Sequence, residues 1–244
     1  MIKEFNDRLE KGWNPFLEQK GIKELKRLLD ICNIFLNRTK REYDDKNIRF
    51  DTYKTYRSQI KLIQNYVTEV LQEPNMLCHR FNQEFIGGYL DHVRYDRGLS
   101  ARTRDNYLGF LGTLSAFMLA KKYINVNPTE HFSRINKKKK KRVIIDEATR
   151  TTIFNYFEKQ NPAFLVLCLM CYYCLVRRTE LTKLKVKDLN FKNQTLFIDG
   201  ADSKSRKSAW VTIPDRLFSS LYEHTKFKDE NYYIFSNVNF GPGP

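Results

Sequence analysis

The most informative stretch of the sequence is residues 174–189, which read CLVRRTELTKLKVKDL. They place an Arg-x-x-Glu-Leu unit directly after the apolar run 164–173, which is too short to span a bilayer and predicts a buried helix. Arg177 and Glu180 lie three residues apart, so they are predicted to share one helical face. A guanidinium fixed there by packing suits a phosphate. An ordinary amphipathic helix with a weak Arg177–Glu180 ion pair is the open alternative.

The charge of the chain indicates a polyanionic partner. Forty-three Lys and Arg residues against 28 Asp and Glu residues give a formal net charge of +15, and the pI is near 9.5. The excess lies mainly in residues 1–142, with net +12, against net +3 in residues 143–244. This balance favours a nucleic acid, although phosphate contacts carry affinity with little sequence information.

Apolar residues recur at helical spacing four times in the first half of the chain. The four stripes lie within residues 25–36, 53–70, 81–93 and 107–118, and they predict a small helical bundle without strands. Asp51 and Ser100 are the predicted caps of the second and fourth helices. The pair Gly87-Gly88 is expected to weaken or bend the third helix by about 1 kcal/mol for each glycine.

The second half combines helices with one β-hairpin. Asp146 or Thr149 is predicted to begin a helix, and the turn Asn161-Pro162 leads into the apolar run. The core-facing residues predicted for the first of these helices are Ile153, Phe154 and Phe157. Residues 193–200 and 209–214 predict two short strands around the polar loop 201–208. A chain of 244 residues with 41% hydrophobic residues is long enough for two cores.

The residues around Arg177 resemble a known family. Residues 172–188 fit the pattern Tyr-x-Cys-x-x-Arg-x-x-Glu-Leu-x-x-Leu-x-x-x-Asp, which is similar to the first catalytic-arginine box of tyrosine recombinases, or phage integrases. The pair Leu175-Val176 stands where Gly-Leu is usual, and this departure is typical of the branch carried by conjugative transposons. Residues 100–107, SARTRDNY, resemble the helix start of the family's core-binding domain.

The resemblance implies a mainly α fold with a small β-hairpin or sheet. Residues 1–135 would form an N-terminal arm and a helical, SAM-like core-binding domain on duplex DNA. Residues 136–143 would be a basic linker, and residues 144–244 the front part of a recombinase catalytic domain. Six consecutive cations at 137–142 repel one another, so the linker is expected to be extended, either solvated or lying along a DNA backbone.

The resemblance also implies roles for four residues. Arg177 would be one clamp on the phosphate, Glu180 the neighbour that orients the site, and Lys204 the general acid for the leaving 5′ oxygen. Lys207 is the alternative to Lys204, because the hairpin is longer than in compact members of the family. In that family a tyrosine hydroxyl attacks the DNA phosphodiester and forms a 3′-phosphotyrosyl link, with no metal or nucleotide cofactor.

Part of the family's catalytic pattern is not found in these 244 residues. Its His-x-x-Arg box and nucleophilic tyrosine follow a Phe-Ser segment, which here is Phe235-Ser236, and neither follows before Pro244. We therefore expect a C-terminally truncated recombinase chain that binds DNA but does not cleave it alone. A non-enzymatic remnant or regulator that competes with an intact recombinase is the alternative. Residues considered and set aside are the His131-x-x-Arg134 pair, His224, and the predicted core aromatics Tyr232 and Tyr233.

The candidate DNA contacts are basic residues of the bundle and the linker. They are Lys54, Arg57, Lys61, Arg102, Arg104, Lys137, Lys138, Lys139, Lys140, Lys141 and Arg142. A solvated basic face is the alternative for those in the bundle. Expected partners are double-stranded DNA at attachment or recombination sites, other recombinase protomers in a tetramer on DNA, and accessory DNA-bending proteins, but no membrane.

Cysteine usage and the N-terminus favour the cytoplasm. Residues 1–6 have no apolar region of the signal-peptide type, and five cysteines agree with a reducing compartment. Cys168, Cys171 and Cys174 recur every third residue along the apolar run. They are predicted to be buried small side chains, because no histidine or second cysteine pair accompanies them as metal ligands.

Overall fold

The computed structural model describes residues 2–10, 25–135, 143–203 and 206–236. The chain divides into two compact units, Met1–Lys140 and Lys141–Pro244. The candidate linker contacts Lys137, Lys138, Lys139, Lys140, Lys141 and Arg142 lie outside the described residues, so they remain predictions. Within the described ranges, no helix combines the length and the apolar character that a membrane crossing needs.

The first unit is a bundle of helices, as the apolar stripes predict. Its α-helices are α1 Ile2–Glu10, α2 Leu28–Asp44, α3 Phe50–Asn65, α4 Gln83–Asp91 and α5 Ala101–Ala120. The short helix α1 was not predicted from the sequence. The apolar stripes of the other four helices pack together in one shared core. Its fully buried members include Leu28, Ile31, Ile60, Ile63, Leu111 and Leu114.

Two helices of the first unit end in a wider turn. Helix α3 continues into the π-helical turn Tyr66–Val70, and α4 continues into a second one, His92–Asp96. A 3-10 turn, Cys78–Arg80, lies between them in the chain. Turns of the π type are rare, and they are found at functional sites more often than chance would give.

The caps of the bundle are partly as predicted. The Ser100 hydroxyl accepts a hydrogen bond from the Thr103 amide at 3.1 Å, which confirms it as the cap of α5. The prediction for Asp51 is wrong, because α3 begins one residue earlier and Arg49 occupies the cap position without a side-chain bond. Asp51 therefore lies in the first helical turn, where a carboxylate still favours the positive end of the helix dipole.

Gly88 has a packing reason that the sequence did not reveal. A β-carbon at this position would lie 2.9 Å from the Tyr66 hydroxyl oxygen, so a larger residue would require the Tyr66 side chain to shift. Helix α4 is nevertheless regular from Gln83 to Asp91, across the glycine pair. Gly88 therefore permits close contact with the turn Tyr66–Val70, and the glycine pair does not bend α4.

The second unit packs four helices against a small sheet. The helices are α6 Glu147–Gln160, α7 Pro162–Tyr173, α8 Arg178–Leu181 and α9 Asp215–Thr225, and a 3-10 turn covers Val186–Asp188. Asp146, one of the two predicted starts, caps α6, and Asn161 caps α7, both through side-chain oxygens that accept amide hydrogen bonds. The prediction that Ile153 faces a core is wrong, since Ile153 is exposed, whereas the predicted Phe154 is half-buried and packs against the core of this unit.

The sheet has three antiparallel strands in the order β1-β2-β3. They are β1 Leu189–Asn190, β2 Thr195–Ile198 and β3 Ala209–Thr212, and the register pairs Leu196 with Val211. The predicted hairpin is therefore confirmed, while the two-residue strand β1 was too short to be recognised. The core of this unit lies between the sheet and α7 and α9, and includes Met170, Leu181, Leu196, Ile213, Leu217 and Leu221. The structure confirms the predicted fold class, mainly α with a small β-sheet.

Candidate functional site

Arg177 lies in a sharp turn between two helices. Helix α7 ends at Tyr173, and Leu175 then adopts a left-handed backbone with φ of 53° while its side chain is 82% exposed. Arg177 is extended, with φ of −71° and ψ of 145°, and α8 begins at the next residue. Arg177 is therefore not itself helical, contrary to the prediction that it shares one helical face with Glu180. Instead they stand at the N-terminal boundary and third position of a new helix.

Glu180 is the hub of this turn. Its carboxylate accepts the Arg177 amide at 3.1 Å and the Arg177 Nη1 at 2.9 Å. The Ser203 hydroxyl donates a third hydrogen bond, to Oε1, at 3.0 Å. The Glu180 side chain is only 4% exposed, whereas that of Arg177 is 56% exposed. A buried carboxylate thus holds one side of the guanidinium and leaves the other side open to a ligand.

The contacts of Glu180 keep it ionised. Desolvation by burial favours the neutral acid, but the Arg177 amide, the Arg177 guanidinium and the Ser203 hydroxyl outweigh it and lower the pKa of Glu180 below its ordinary value. The carboxylate is therefore negative at neutral pH. A negative partner fixes the orientation of the Arg177 fork through charge-assisted hydrogen bonds.

The first half of the hairpin loop is docked against α8. The carbonyl of Asp199 accepts the amides of Asp202 and Ser203, which forms a compact turn after β2. Asp202 forms an ion pair with Lys183 at 2.7 Å, and the Ser203 hydroxyl donates a hydrogen bond to Glu180. The structure therefore brings the residue that precedes Lys204 into the Arg177 turn.

Of the two candidate lysines of the loop, only Lys207 lies within the described residues. Lys204 lies outside the described residues, so its catalytic role remains a prediction. Lys207 is exposed in the returning half of the loop, close to Gly200. A β-carbon on Gly200 would come within 3.0 Å of the Ser208 amide and 3.1 Å of the Arg206 carbonyl, so the two halves of the loop meet there at backbone distance.

The Phe-Ser segment packs beside the same turn. Ile234 donates its amide to the Leu184 carbonyl at 2.9 Å, and Lys185 pairs with Tyr233 in an isolated antiparallel bridge. The Lys185 ammonium lies 5.3 Å from the centre of the Tyr233 ring. Tyr232 and Tyr233 are half-buried, so they sit at the edge of the core and not within it.

His224 is a structural neighbour of that segment. Its Nε2 lies 2.9 Å from the Ile234 carbonyl, and Lys228 donates to the same oxygen at 2.6 Å. Burial lowers the pKa of His224, although the Ile234 carbonyl opposes this, and the Lys228 charge lowers it further. The imidazole is therefore mainly neutral at neutral pH, and it fixes the end of the Phe-Ser segment.

The candidate DNA contacts of the first unit fall into two groups. Lys54, Arg57 and Lys61 are exposed along one side of α3, and Arg102 is exposed near the start of α5. None of these four side chains has a hydrogen bond or ion pair with any residue that the structure describes. A row of unpaired cations is open to phosphates.

Arg104 differs from the other candidates. Its side chain is 13% exposed and donates to the Ser133 carbonyl at 2.8 Å and to Asp105 at 3.3 Å. Asp105 also accepts the Ile135 amide at 3.2 Å. Together they tie the end of the first unit to α5. This geometry gives Arg104 a structural task, which the sequence did not indicate.

Ser203 is the member of the site that sequence reasoning missed. The sequence assigned no role of its own to this serine, and its position directly before Lys204 was the available signal. Cys174 is also buried near the turn, where burial raises the pKa of its thiol to about 11. Among the residues in the described ranges, no three His, Cys, Asp or Glu side chains are grouped to hold a metal ion.

Comparison with known proteins agrees with this architecture. Residues 144–241 match the phage integrase family. No curated protein sequence matches the chain. A solved structure of a lambda integrase dimer on a COC′ core site is similar, with 16% identity, a TM-score of 0.66, and coverage of 86% of this chain and 74% of that one.

The Tn1549 transposon integrase, solved with transposon right end DNA, is similar to a comparable degree. Identity is 14%, the TM-score is 0.65, and the match covers 86% of this chain and 71% of that one. A lambda integrase tetramer on a Holliday junction matches with 16% identity and a TM-score of 0.65, over 86% of this chain and 60% of that one. At such identities these likenesses establish the fold. The family match is to residues 144–241, so the likeness in sequence to phage integrases is that of the second unit.

Proposed function

We propose that this chain is a site-specific DNA recombinase of the integrase type that binds duplex DNA at attachment sites. The observation that carries the proposal is the half-exposed Arg177 guanidinium, fixed from behind by the buried carboxylate of Glu180. An arginine held in this way presents a rigid pair of N–H donors, which matches the two oxygens of a phosphodiester better than a flexible lysine does.

Each residue of the Arg177 turn has a role in this proposal. Arg177 would stabilise the charge that develops on the phosphorane during strand exchange, because preorganised donors act without reorganising in the transition state. Glu180 would orient Arg177 without touching the phosphate. Ser203 supports a role for Lys204, since its hydrogen bond to Glu180 ties the preceding residue of the chain to the same turn. Lys207 is the alternative general acid.

The first unit would supply most of the affinity for DNA. Lys54, Arg57, Lys61 and Arg102 are exposed and unpaired among the described residues, so they can neutralise phosphates and release counterions. The linker cations at 137–142 would add to this electrostatic affinity for DNA. Arg104 would hold the end of the unit in place, and its contact with DNA is the least supported of the candidates.

The proposal extends to the branch of the family and to the location of the protein in the cell. We place the chain in the branch carried by conjugative transposons, which agrees with the likeness to the Tn1549 integrase and with Leu175-Val176 before the arginine. We also place it in the cytoplasm, where its DNA would be, with other recombinase protomers in a tetramer and accessory DNA-bending proteins as partners. The cysteines of the described chain are free thiols, in agreement with a reducing compartment.

The test begins by selecting duplexes that the chain binds from a random pool. Gel shifts with a selected duplex should show a complex that weakens steeply with salt. Arg177→Lys should reduce affinity for that duplex by about tenfold, because the fork is lost while the charge stays. The matched control is Arg178→Lys, an exposed neighbour on α8, which should stay within about twofold. Failure to enrich any duplex over the random pool would contradict the proposal.

A second experiment separates binding from cleavage. A nicked substrate traps a covalent adduct whenever a tyrosine attacks the DNA. These 244 residues contain no His-x-x-Arg after Phe235-Ser236, so we expect them to bind the selected duplex without forming an adduct. An adduct that survives denaturing electrophoresis would overturn this expectation and identify a nucleophile within the chain.

The second candidate function is that of a non-enzymatic regulator. It rests on the exposed cations Lys54, Arg57, Lys61 and Arg102, which have no partner among the described residues and can give affinity for DNA without a catalytic step. Mixing the chain with an intact recombinase that acts at the selected site distinguishes the two. A dose-dependent fall in recombination would support competition for the site, and no change would exclude it.

A further inference from the structure

A cavity in the first unit lies where the two π-helical turns face each other. It has a volume of about 220 Å³ and is lined by residues from α3, α4 and both turns. Tyr66 and His92 come from the turns themselves, Tyr89 comes from α4, and Arg97 directly follows the second turn. Nothing in the proposed recombinase function uses this cavity.

Aromatic rings form much of the cavity wall. The ring centres of Tyr66 and His92 are 5.2 Å apart, and those of Tyr66 and Tyr89 are also 5.2 Å apart. His92 is held in place by Asp96, which lies 2.9 Å from its Nδ1. Gly88 leaves the room that the Tyr66 hydroxyl occupies. A wall of fixed rings suits a flat aromatic ligand.

Four polar side chains at the cavity have no hydrogen-bond partner among the described residues. Asn65, Glu69 and Arg97 line it, and none of their side chains has a hydrogen bond or ion pair with a residue in the described part of the chain. Tyr89 is 1% exposed, and its hydroxyl likewise has no partner among the described residues. A buried hydroxyl without a hydrogen bond is unfavourable, so each such group calls for an explanation.

The charges around the cavity narrow the class of ligand. Glu69 and Arg97 contribute opposite charges to the lining and His92 is paired with Asp96, so the cavity has no excess of positive charge that would favour an anion such as free phosphate. Burial, followed by the nearby Asp96 and Asp91 carboxylates, raises the pKa of Tyr66, which therefore stays protonated. The cavity offers N–H donors from Arg97 and acceptors from Glu69 and Asn65.

We propose that this cavity binds a nucleobase, a neutral planar heteroaromatic ring with hydrogen-bond donors and acceptors on its edge. The volume is below the roughly 300–1,000 Å³ of sites for drug-sized molecules and suits a single ring system. Glu69 accepts from ring N–H or amino groups, and Arg97 donates to ring nitrogen or carbonyl oxygen. The base has two possible sources, a free nucleoside or a base extruded from bound DNA.

The test uses the full chain and two kinds of probe. The free probes are adenosine, guanosine, cytidine and thymidine, titrated while the backbone amide NMR signals are followed. The DNA probes are a fully paired duplex and the same duplex with one unpaired base. Saturable shifts around Tyr66 and Tyr89 with a nucleoside would support a free ligand, and tighter binding of the duplex with the unpaired base would support an extruded one.

Variants decide whether the cavity is responsible. Glu69→Gln and Arg97→Gln should each weaken binding of the recognised probe by about tenfold, as expected for loss of a hydrogen bond to a charged group. The matched controls Glu130→Gln and Lys121→Gln remove the same charges at exposed positions of the same unit and should have no effect. Val70→Trp fills the mouth from a position that is 47% exposed, so it should block the probe and keep the fold.

Two results would overturn the proposal. One is the absence of any saturable shift up to about 10 mM nucleoside together with equal binding of the two duplexes. The other is binding that survives Val70→Trp and both charge variants. Affinity for the fully paired duplex tests the recombinase proposal separately, and it should be unchanged by Val70→Trp.

Discussion

Two basic regions of the chain differ in what surrounds their charges. Arg177 is held by a carboxylate that is 4% exposed, and that carboxylate is itself held by Ser203. Lys54, Arg57 and Lys61 lie exposed on α3 without a partner among the described residues. A cation that is fixed by a partner presents its donors in a defined geometry. A cation without a partner contributes mainly to the positive potential around the surface. The first arrangement suits recognition of one phosphate, and the second suits attraction to any duplex.

The largest expected effect comes from removing the hub of the Arg177 turn. Glu180→Ala leaves the Arg177 amide, its guanidinium and the Ser203 hydroxyl without their acceptor, so the second unit should lose about 2–3 kcal/mol of unfolding free energy. Native-state hydrogen exchange of β2 and β3 measures this loss.

The control for this prediction is Glu158→Ala, which removes an exposed carboxylate from α6. It should change the unfolding free energy by no more than about 0.5 kcal/mol. Equal effects of the two substitutions would mean that the turn is not held through Glu180, and the contrast between the two basic regions would fail.

The opposite behaviour is expected for the row on α3. Replacing Lys54, Arg57 and Lys61 together by Gln should reduce the slope of log affinity against log salt by about 0.9 for each phosphate that is no longer neutralised. Stability should stay the same, because these side chains have no partner among the described residues. Gel shifts over a range of salt concentrations measure the slope. The control is the double variant Lys121→Gln with Lys122→Gln. If it lowers the slope by the same amount per charge, the location of Lys54, Arg57 and Lys61 on α3 does not matter for DNA binding.

A smaller effect is expected at Leu175. A left-handed backbone is unfavourable for a residue with a β-carbon, and the exposed Leu175 side chain gains little in return, so Leu175→Gly should stabilise the second unit by about 1 kcal/mol. Urea unfolding measures the change. Leu175→Ala keeps the β-carbon and should show no such gain. A gain with alanine as large as with glycine would mean that backbone strain is not the cause.

The smallest expected effect is a dependence on pH. The pKa of His224 is lowered in the folded chain, so the unfolded chain binds a proton more readily. This contribution to stability is complete above about pH 6.5 and decreases as the pH falls from there toward the folded pKa. Thermal unfolding between pH 7.5 and pH 5 measures it on the parent chain, and His224→Gln should flatten the curve in that window. His131→Gln, at an exposed position, should leave the curve as it is.

The sequence predicted the regular elements well, because apolar periodicity reports directly on burial. The four stripes of the first unit and the β2-β3 hairpin all appear where they were expected. Errors came from places where periodicity is uninformative. Helix α6 has apolar residues at helical spacing but no fully buried residue, and β1 has only two residues.

The candidate site was predicted only in part, for a physical reason. The pairing of Arg177 with Glu180 follows from their spacing, but the turn that holds them depends on the φ of Leu175, which has no sequence signal in a leucine. The bond from Ser203 spans 23 positions in the chain, and no local pattern encodes such a contact. Lys204, the linker cations and the choice between Lys204 and Lys207 remain predictions.

The close approach at Gly200 has a consequence for natural variation. Its missing side chain faces the backbone of residues 206–208, so any other residue would push the two halves of the loop apart. In a saturation library scored by folding, position 200 should therefore accept almost nothing, while the exposed neighbours Ala201 and Lys207 should accept nearly every residue. Position 200 would thus be the one position of this group that tolerates few substitutions, because of the space beside its backbone and not because of a side-chain function.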